Sequence, residues 1–115
     1  MALSEFEIKK IEKAVGQFLE KRRPPVSIRN ELDLGWRLDK HSFYFFERRP
    51  VWNNPSEYQD LDCLKAVYVR TQGIWKIYWM RQDLKWHSYE PCKQVKTIEQ
   101  VLDVLDKDQH GCFFG

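Results

Sequence analysis

Cysteine is scarce in this chain: Cys63, Cys92 and Cys112 are the only three in 115 residues. The number is odd, the spacings are wide and no Cys-x-x-Cys occurs. Neither a disulfide framework nor a structural zinc site is therefore expected. Long apolar runs are missing as well. No segment approaches a membrane span, and residues 1–10 hold no apolar run of signal-peptide length. A reducing, cytoplasmic home away from membranes is the expectation. Net charge is close to nil, +2 by formal count, too little to announce nucleic acid or an anionic membrane by itself. Any electrostatic site must be a local patch. There is no phosphate-cradling Gly-rich loop, nucleophile elbow or His-Glu-x-x-His pattern, and no internal repeat or low-complexity stretch. The sequence names no reaction and calls for no cofactor.

What is present is aromatic and patterned. Hydrophobic residues make up 43% against 31% charged, which argues for a folded chain rather than a disordered one. The length suits one domain, residues 1–115, able to bury a core without staples. The densest stretch is residues 74–91, with three of the five tryptophans and two of the five tyrosines. It reads as the centre of an antiparallel sheet.

The flanks read as helices. Ser4 and Glu7 have capping-box spacing, and Ile8, Ile11, Val15 and Phe18 form one stripe, so residues 4–22 are an amphipathic helix ended by Pro24 and Pro25. Lys21, Arg22 and Arg23 complement the dipole at its C-terminal end. Thr97 and Gln100 repeat the capping spacing, and Ile98, Val101, Leu102 and Leu105 form the stripe of a second helix over residues 97–107. Phe113 and Phe114 are expected to dock on the core, since an exposed Phe-Phe end is an apolar liability.

Between the helices the pattern is that of strands. Residues 26–38 place apolar side chains on even positions, with Gly35 a kink or bulge. Residues 42–48 are apolar on both faces and belong in the sheet interior. Residues 49–62, broken by Pro50, Asn53, Asn54 and Pro55, read as a long loop anchored by Trp52. Strands follow at 64–71, 74–81 and 84–89, joined by turns at Gln72-Gly73 and Gln82-Asp83. The fold class is α+β: a twisted, mostly antiparallel sheet of four or five strands flanked by an N-terminal and a C-terminal helix, in the order α-β-β-β-β-β-α.

Two-residue turns at 72–73 and 82–83 sort the last three strands into faces. One face carries Leu64, Ala66, Tyr68, Trp75, Ile77, Trp79, Leu84 and Trp86 and is the core, covered by the helices. The other carries Lys65, Val67, Val69, Lys76, Tyr78, Met80, Lys85, His87 and Tyr89. A one-residue slip in either turn would undo the assignment for that strand. Aromatic faces stack bases and lysines meet phosphates, so Lys65, Lys76, Tyr78, Lys85, His87 and Tyr89 form a candidate surface for an anionic ligand, single-stranded nucleic acid among them. The plainer reading is a solvated face whose lysine stems cover apolar surface.

Several motifs resemble one small bacterial family of Trp-rich proteins. They are Glu47-Arg48-Arg49-Pro50 with Trp52-Asn53-Asn54-Pro55, Lys65-Ala66-x-Tyr68-Val69 and Trp75-Lys76-x-Tyr78-Trp79. Asp83-Leu84-Lys85-Trp86-His87-x-Tyr89-x-Pro91 and Asp108-x-His110-Gly111-Cys112-Phe113-x-Gly115 complete the set. That family is catalogued as a domain of unknown function, so the resemblance implies a free-standing bacterial protein and no activity.

Other constellations are thinner. His87, Cys92, His110 and Cys112 contain no standard metal-ligand spacing, and no metal is expected. Glu47 with His87 and a lysine is a conceivable metal-dependent hydrolase or nuclease site, but the region supplies few of the clustered acids that Mg²⁺ needs. Paired with Arg49, Glu47 is instead a structural brace of the long loop. Trp52, Trp75, Trp79 and Trp86 read as structural aromatics, and Arg70 opposite Trp75 as a cation–π pair. A third reading is a protein-interaction module, in which the same face or an exposed strand edge makes a homodimer.

Overall fold

A computed structural model describes residues 3–109 and 111–113. Helix α1 spans Glu5–Arg22, and its capping box is formed: the Ser4 hydroxyl accepts from the Glu7 N–H at 3.2 Å, and the Glu7 carboxylate accepts from the Ser4 N–H at 2.8 Å. The same carboxylate takes the Arg70 guanidinium at 2.8 Å, which ties the helix start to the sheet. Helix α2, Ile98–Lys107, is capped in the same way by Thr97 and Gln100.

Six strands lie between the helices: β1 Asp33–Asp39, β2 Ser42–Val51, β3 Asn54–Val69, β4 Ile74–Met80, β5 Trp86–Ser88 and β6 Gln94–Val95. They form one antiparallel meander in the order β1-β2-β3-β4-β5, with β6 also on β4. β5 and β6 are two pieces of one edge. The Tyr89 N–H donates to the Ile77 carbonyl and the Ile77 N–H to the Lys93 carbonyl, both at 2.9 Å. The 3₁₀ turn Glu90–Cys92 loops out between these two bonds.

The helices cover one face, where Phe43, Phe45, Leu64, Ile77, Val15, Val101 and Leu105 are fully buried. Phe18 of α1 meets Phe45 of β2 edge to face at 5.4 Å, the geometry aromatic quadrupoles prefer. The chain end joins this core. The Asp108 carboxylate accepts from the Phe113 N–H at 3.1 Å, and the Phe113 ring lies 4.8 Å from that of Tyr89. The expected docking of Phe114 falls outside the described residues.

Four expectations are corrected. The first strand begins at Asp33, not at residue 26; a 3₁₀ turn, Val26–Ile28, precedes it. Residues 49–62 are not a loop. β2 and β3 continue through them as a hairpin that turns at Trp52 and Asn53. Trp52 anchors nothing there, being 89% exposed. The β3–β4 connection has four residues, 70–73, since Val69 pairs with Ile74. Two added residues leave every face assignment on β3 and β4 intact. Trp75 therefore stands opposite Tyr68, with rings 5.1 Å apart, and Arg70 stacks over Tyr68 at 5.6 Å.

The fourth correction matters most. The β4–β5 connection has five residues, 81–85, because Met80 pairs with Trp86 and Trp79 with His87. Leu84 takes a positive φ of 61° there and is 80% exposed, so it belongs to no strand. An odd count inverts the last strand.

Candidate functional site

The inversion redraws the uncovered face of the sheet. Lys65, Lys76 and Tyr78 lie on it as expected. Lys85 sits in the turn, where its N–H donates to the Asp83 carboxylate at 3.0 Å. His87 and Tyr89 point to the helix-covered side. Tyr89 is 3% exposed, and burial raises its phenol pKa. Trp86, expected in the core, comes to the uncovered face beside Met80.

One rung of paired residues crosses that face from edge to edge: Arg37, Tyr44, Lys65, Tyr78 and Ser88. Arg37 lies 4.2 Å over the Tyr44 ring, and the Lys65 ammonium stands 5.6 Å from Tyr44 and 6.0 Å from Tyr78. The Tyr44 and Trp86 rings are 6.1 Å apart. Their strands are separated by β3 and β4, so their backbones are roughly 14 Å apart at the usual strand spacing. The rings meet because both side chains lean across the central strands. All four members of this cluster, Tyr44, Lys65, Tyr78 and Trp86, are half-buried.

The cations of the face differ in their commitments. Arg37 grips Asp62 through two bonds of 2.7 and 3.0 Å, and Arg48 grips Asp60 at 2.8 and 3.2 Å. These bidentate pairs hold both guanidinium pKa values above their ordinary level. Among the described residues, no carboxylate pairs with Lys65 or Lys76. Sequence reasoning missed Arg37 and Tyr44. A two-residue turn at Lys40-His41, which sets Asp39 against Ser42 and so Arg37 against Tyr44, was the available signal.

Glu47 faces the helix-covered side near the sheet margin. Its carboxylate accepts from Arg49 at 3.0 Å and from the Cys63 thiol at 3.7 Å. Burial, with the Glu47 charge second, pushes the Cys63 thiol up to about 12. The Glu47–Arg49 pair is thus formed. His87 donates to or accepts from Asp83 at 2.8 Å and lines a cleft of about 320 Å³ with Trp79, Arg81, Tyr89 and Cys112. Glu47 on β2 and His87 on β5 are three strands apart, roughly 14 Å at least, so no acid–base pair is assembled from them. Among the described residues no group of three His, Cys, Asp or Glu is placed to hold a metal ion, and His110 lies outside those residues. Among the same residues, no helix is long and apolar enough to cross a membrane.

A family model described as a domain of unknown function, DUF3024, matches residues 3–115. No curated protein and no solved structure matches the chain.

Proposed function

The chain belongs to the DUF3024 family, which lends it no activity, and we propose from the geometry that it is a cytoplasmic, non-enzymatic binding module for an anionic ligand of the single-stranded nucleic acid kind. The observation that carries this is the cluster on the uncovered face. The Lys65 ammonium stands beside Tyr44 and Tyr78, the Tyr44 and Trp86 rings lie side by side across the strands, and among the described residues no helix packs over them. Half-exposed rings offer stacking platforms that tolerate any base, and Lys65 and Lys76 offer charge that no carboxylate among the described residues has claimed. That Cys63, Cys92 and Cys112 form no disulfide suits a reducing compartment.

The test is a titration with short single-stranded DNA and RNA at low and high salt, read by tryptophan fluorescence. Saturable, salt-sensitive quenching is expected. Trp86→Ala should weaken binding about tenfold or more, since a stacked base is worth about 1–3 kcal/mol. Lys65→Ala should flatten the salt dependence by roughly one phosphate contact. No quenching at low salt, or quenching that Trp86→Ala leaves unchanged in affinity, refutes the proposal.

A further inference from the structure

The β2–β3 hairpin outruns the sheet that supports it. β1 pairs with β2 only as far as Arg48, and β4 pairs with β3 only from Leu64 onward. Beyond these points the hairpin is a two-stranded arm, which accounts for a long dimension of 45 Å against 30 and 25 Å. A lone two-stranded ribbon is marginal in water. This one also holds Trp52, Tyr58 and Leu61 in solvent.

The two edges of the arm are unlike. The β2 edge is three residues long, 49–51, and Pro50 blunts it. The β3 edge has no proline between Ser56 and Asp62 and offers its unpaired backbone. From this asymmetry we infer that the arm is a self-association element, in which the free β3 edges of two copies pair antiparallel about a two-fold axis at Gln59.

Charge and the proline-free span together select that axis. Centred on Asp60, the pairing opposes two Asp60 carboxylates. Centred on Tyr58, it opposes no two carboxylates but brings Pro55 into the ladder opposite Leu61, whereas the proline-free span 56–62 is symmetric about Gln59. Centred on Gln59, it sets Tyr58 against Asp60 and Glu57 against Leu61, with no carboxylate facing another, and Arg48 already neutralises Asp60. The same register decides where the tip lands. Residues 55 and 56 of one arm come level with residues 63 and 62 of the other copy, where β4 ends at Met80. Trp52 therefore arrives at the partner copy's 81–85 turn. Each copy has there an exposed Leu84 and a cleft formed by Trp79, Met80, Arg81, Gln82 and Asp83. An indole on that apolar and cationic surface buries two otherwise solvated hydrophobes at once.

Sedimentation equilibrium from micromolar to millimolar protein tests this, with expected growth to twice the mass of one chain. Trp52→Ala, at a side chain that is 89% exposed, should raise the dimer dissociation constant about thirtyfold, the loss typical of an anchoring interface tryptophan. In a Cys92→Ser/Cys112→Ser background, mild oxidation should cross-link Gln59→Cys far faster than Asn53→Cys. Residue 59 meets its own copy within disulfide range across an antiparallel pair, and the tip does not. A monomer at every concentration, or equal cross-linking at the two positions, overturns the inference. The nucleic-acid titration reads a different face, so either reading fails independently of the other.

Discussion

Gly35 is the residue whose replacement tests the uncovered face most directly. It pairs with Phe46, and a Cβ built on it would stand 2.5 Å from Cζ and 2.6 Å from Cε1 of that ring. The Gly35 backbone is ordinary extended chain, so conformational strain plays no part. The phenylalanine lies flat across the glycine and is only 8% exposed, although it is on the side away from the helices. Arg48 stands 5.7 Å over the ring and is itself held by Asp60 at the root of the arm. A side chain at position 35 must lift the ring, expose it and disturb that guanidinium.

Two effects oppose each other in Gly35→Ala. Removing a strand glycine stabilises by about 0.5–1 kcal/mol through the unfolded chain. Overpacking against a stiff ring costs about 1–3 kcal/mol. The clash is with a ring clamped from above, so overpacking prevails and the net loss is roughly 1–2 kcal/mol. At this chain length that lowers Tm by roughly 4–8 °C. Urea unfolding followed by tryptophan fluorescence measures the loss, with the slope m expected to stay constant. The sign should reverse without the ring: in a Phe46→Ala background, Gly35→Ala is expected to be neutral or stabilising. Equal destabilisation in both backgrounds would show that the ring is not what fills the space above Gly35, and the reasoning would fail.

Three further perturbations have defined outcomes. Iodoacetamide at about pH 8 should label the half-exposed Cys92 and spare Cys63 in the folded protein, because burial keeps the Cys63 thiol protonated; labelling of Cys63 at the rate of Cys92 by peptide mapping would contradict this. The Glu7 carboxyl is held below its ordinary 4.5, first by its hydrogen bond from Arg70. A depressed folded-state pKa gives stability that is present above 4.5 and lost as pH falls through the folded value. Glu7→Gln should therefore flatten the acid limb of a urea-midpoint profile and leave its slope above pH 4.5 unchanged. Glu47→Gln should destabilise by up to about 1 kcal/mol, since the neutral amide breaks a charge-assisted pair with Arg49 that solvent screens on the Arg49 side. A wild-type urea midpoint for this variant would remove the brace.

The helices were legible because their signals are local. Ser4 with Glu7 and Thr97 with Gln100 are reciprocal pairs three residues apart, and both boxes form where the spacing puts them. The sheet faces were legible only where a turn's parity was. The 70–73 connection is two residues longer than expected and moved no side chain to the other face. The 81–85 connection is longer by an odd number and moved Trp86 out of the core, with His87 and Tyr89 turned toward it. Alternation within residues 84–89 could not decide between these outcomes. Trp86, His87 and Tyr89 suit either side of a half-buried strand, and a left-handed residue such as Leu84 leaves no mark in the sequence when it is not glycine.

The arm was illegible for a different reason, and the reason bears on its use. A strand announces itself by alternation only when one of its faces is buried. From Glu57 to Asp62 the order is Glu-Tyr-Gln-Asp-Leu-Asp, which alternates for no core because neither face has one. Pro50, Asn53, Asn54 and Pro55 then look like loop breakers, although they cluster around the turn of a hairpin. Polar strands of this kind are normally stabilised by neighbours on both sides, and among the described residues this ribbon has no flanking strand. Arg48–Asp60 fixes its root and Arg49–Glu47 bridges alternate positions of β2. Such exposed pairs contribute up to about 1 kcal/mol each, too little to make solvent the natural setting for Trp52, Tyr58 and Leu61. The feature that hid the arm in the sequence is the absence of an internal partner, and that same absence makes a second copy along the free β3 edge the arrangement in which the sequence becomes consistent with its fold.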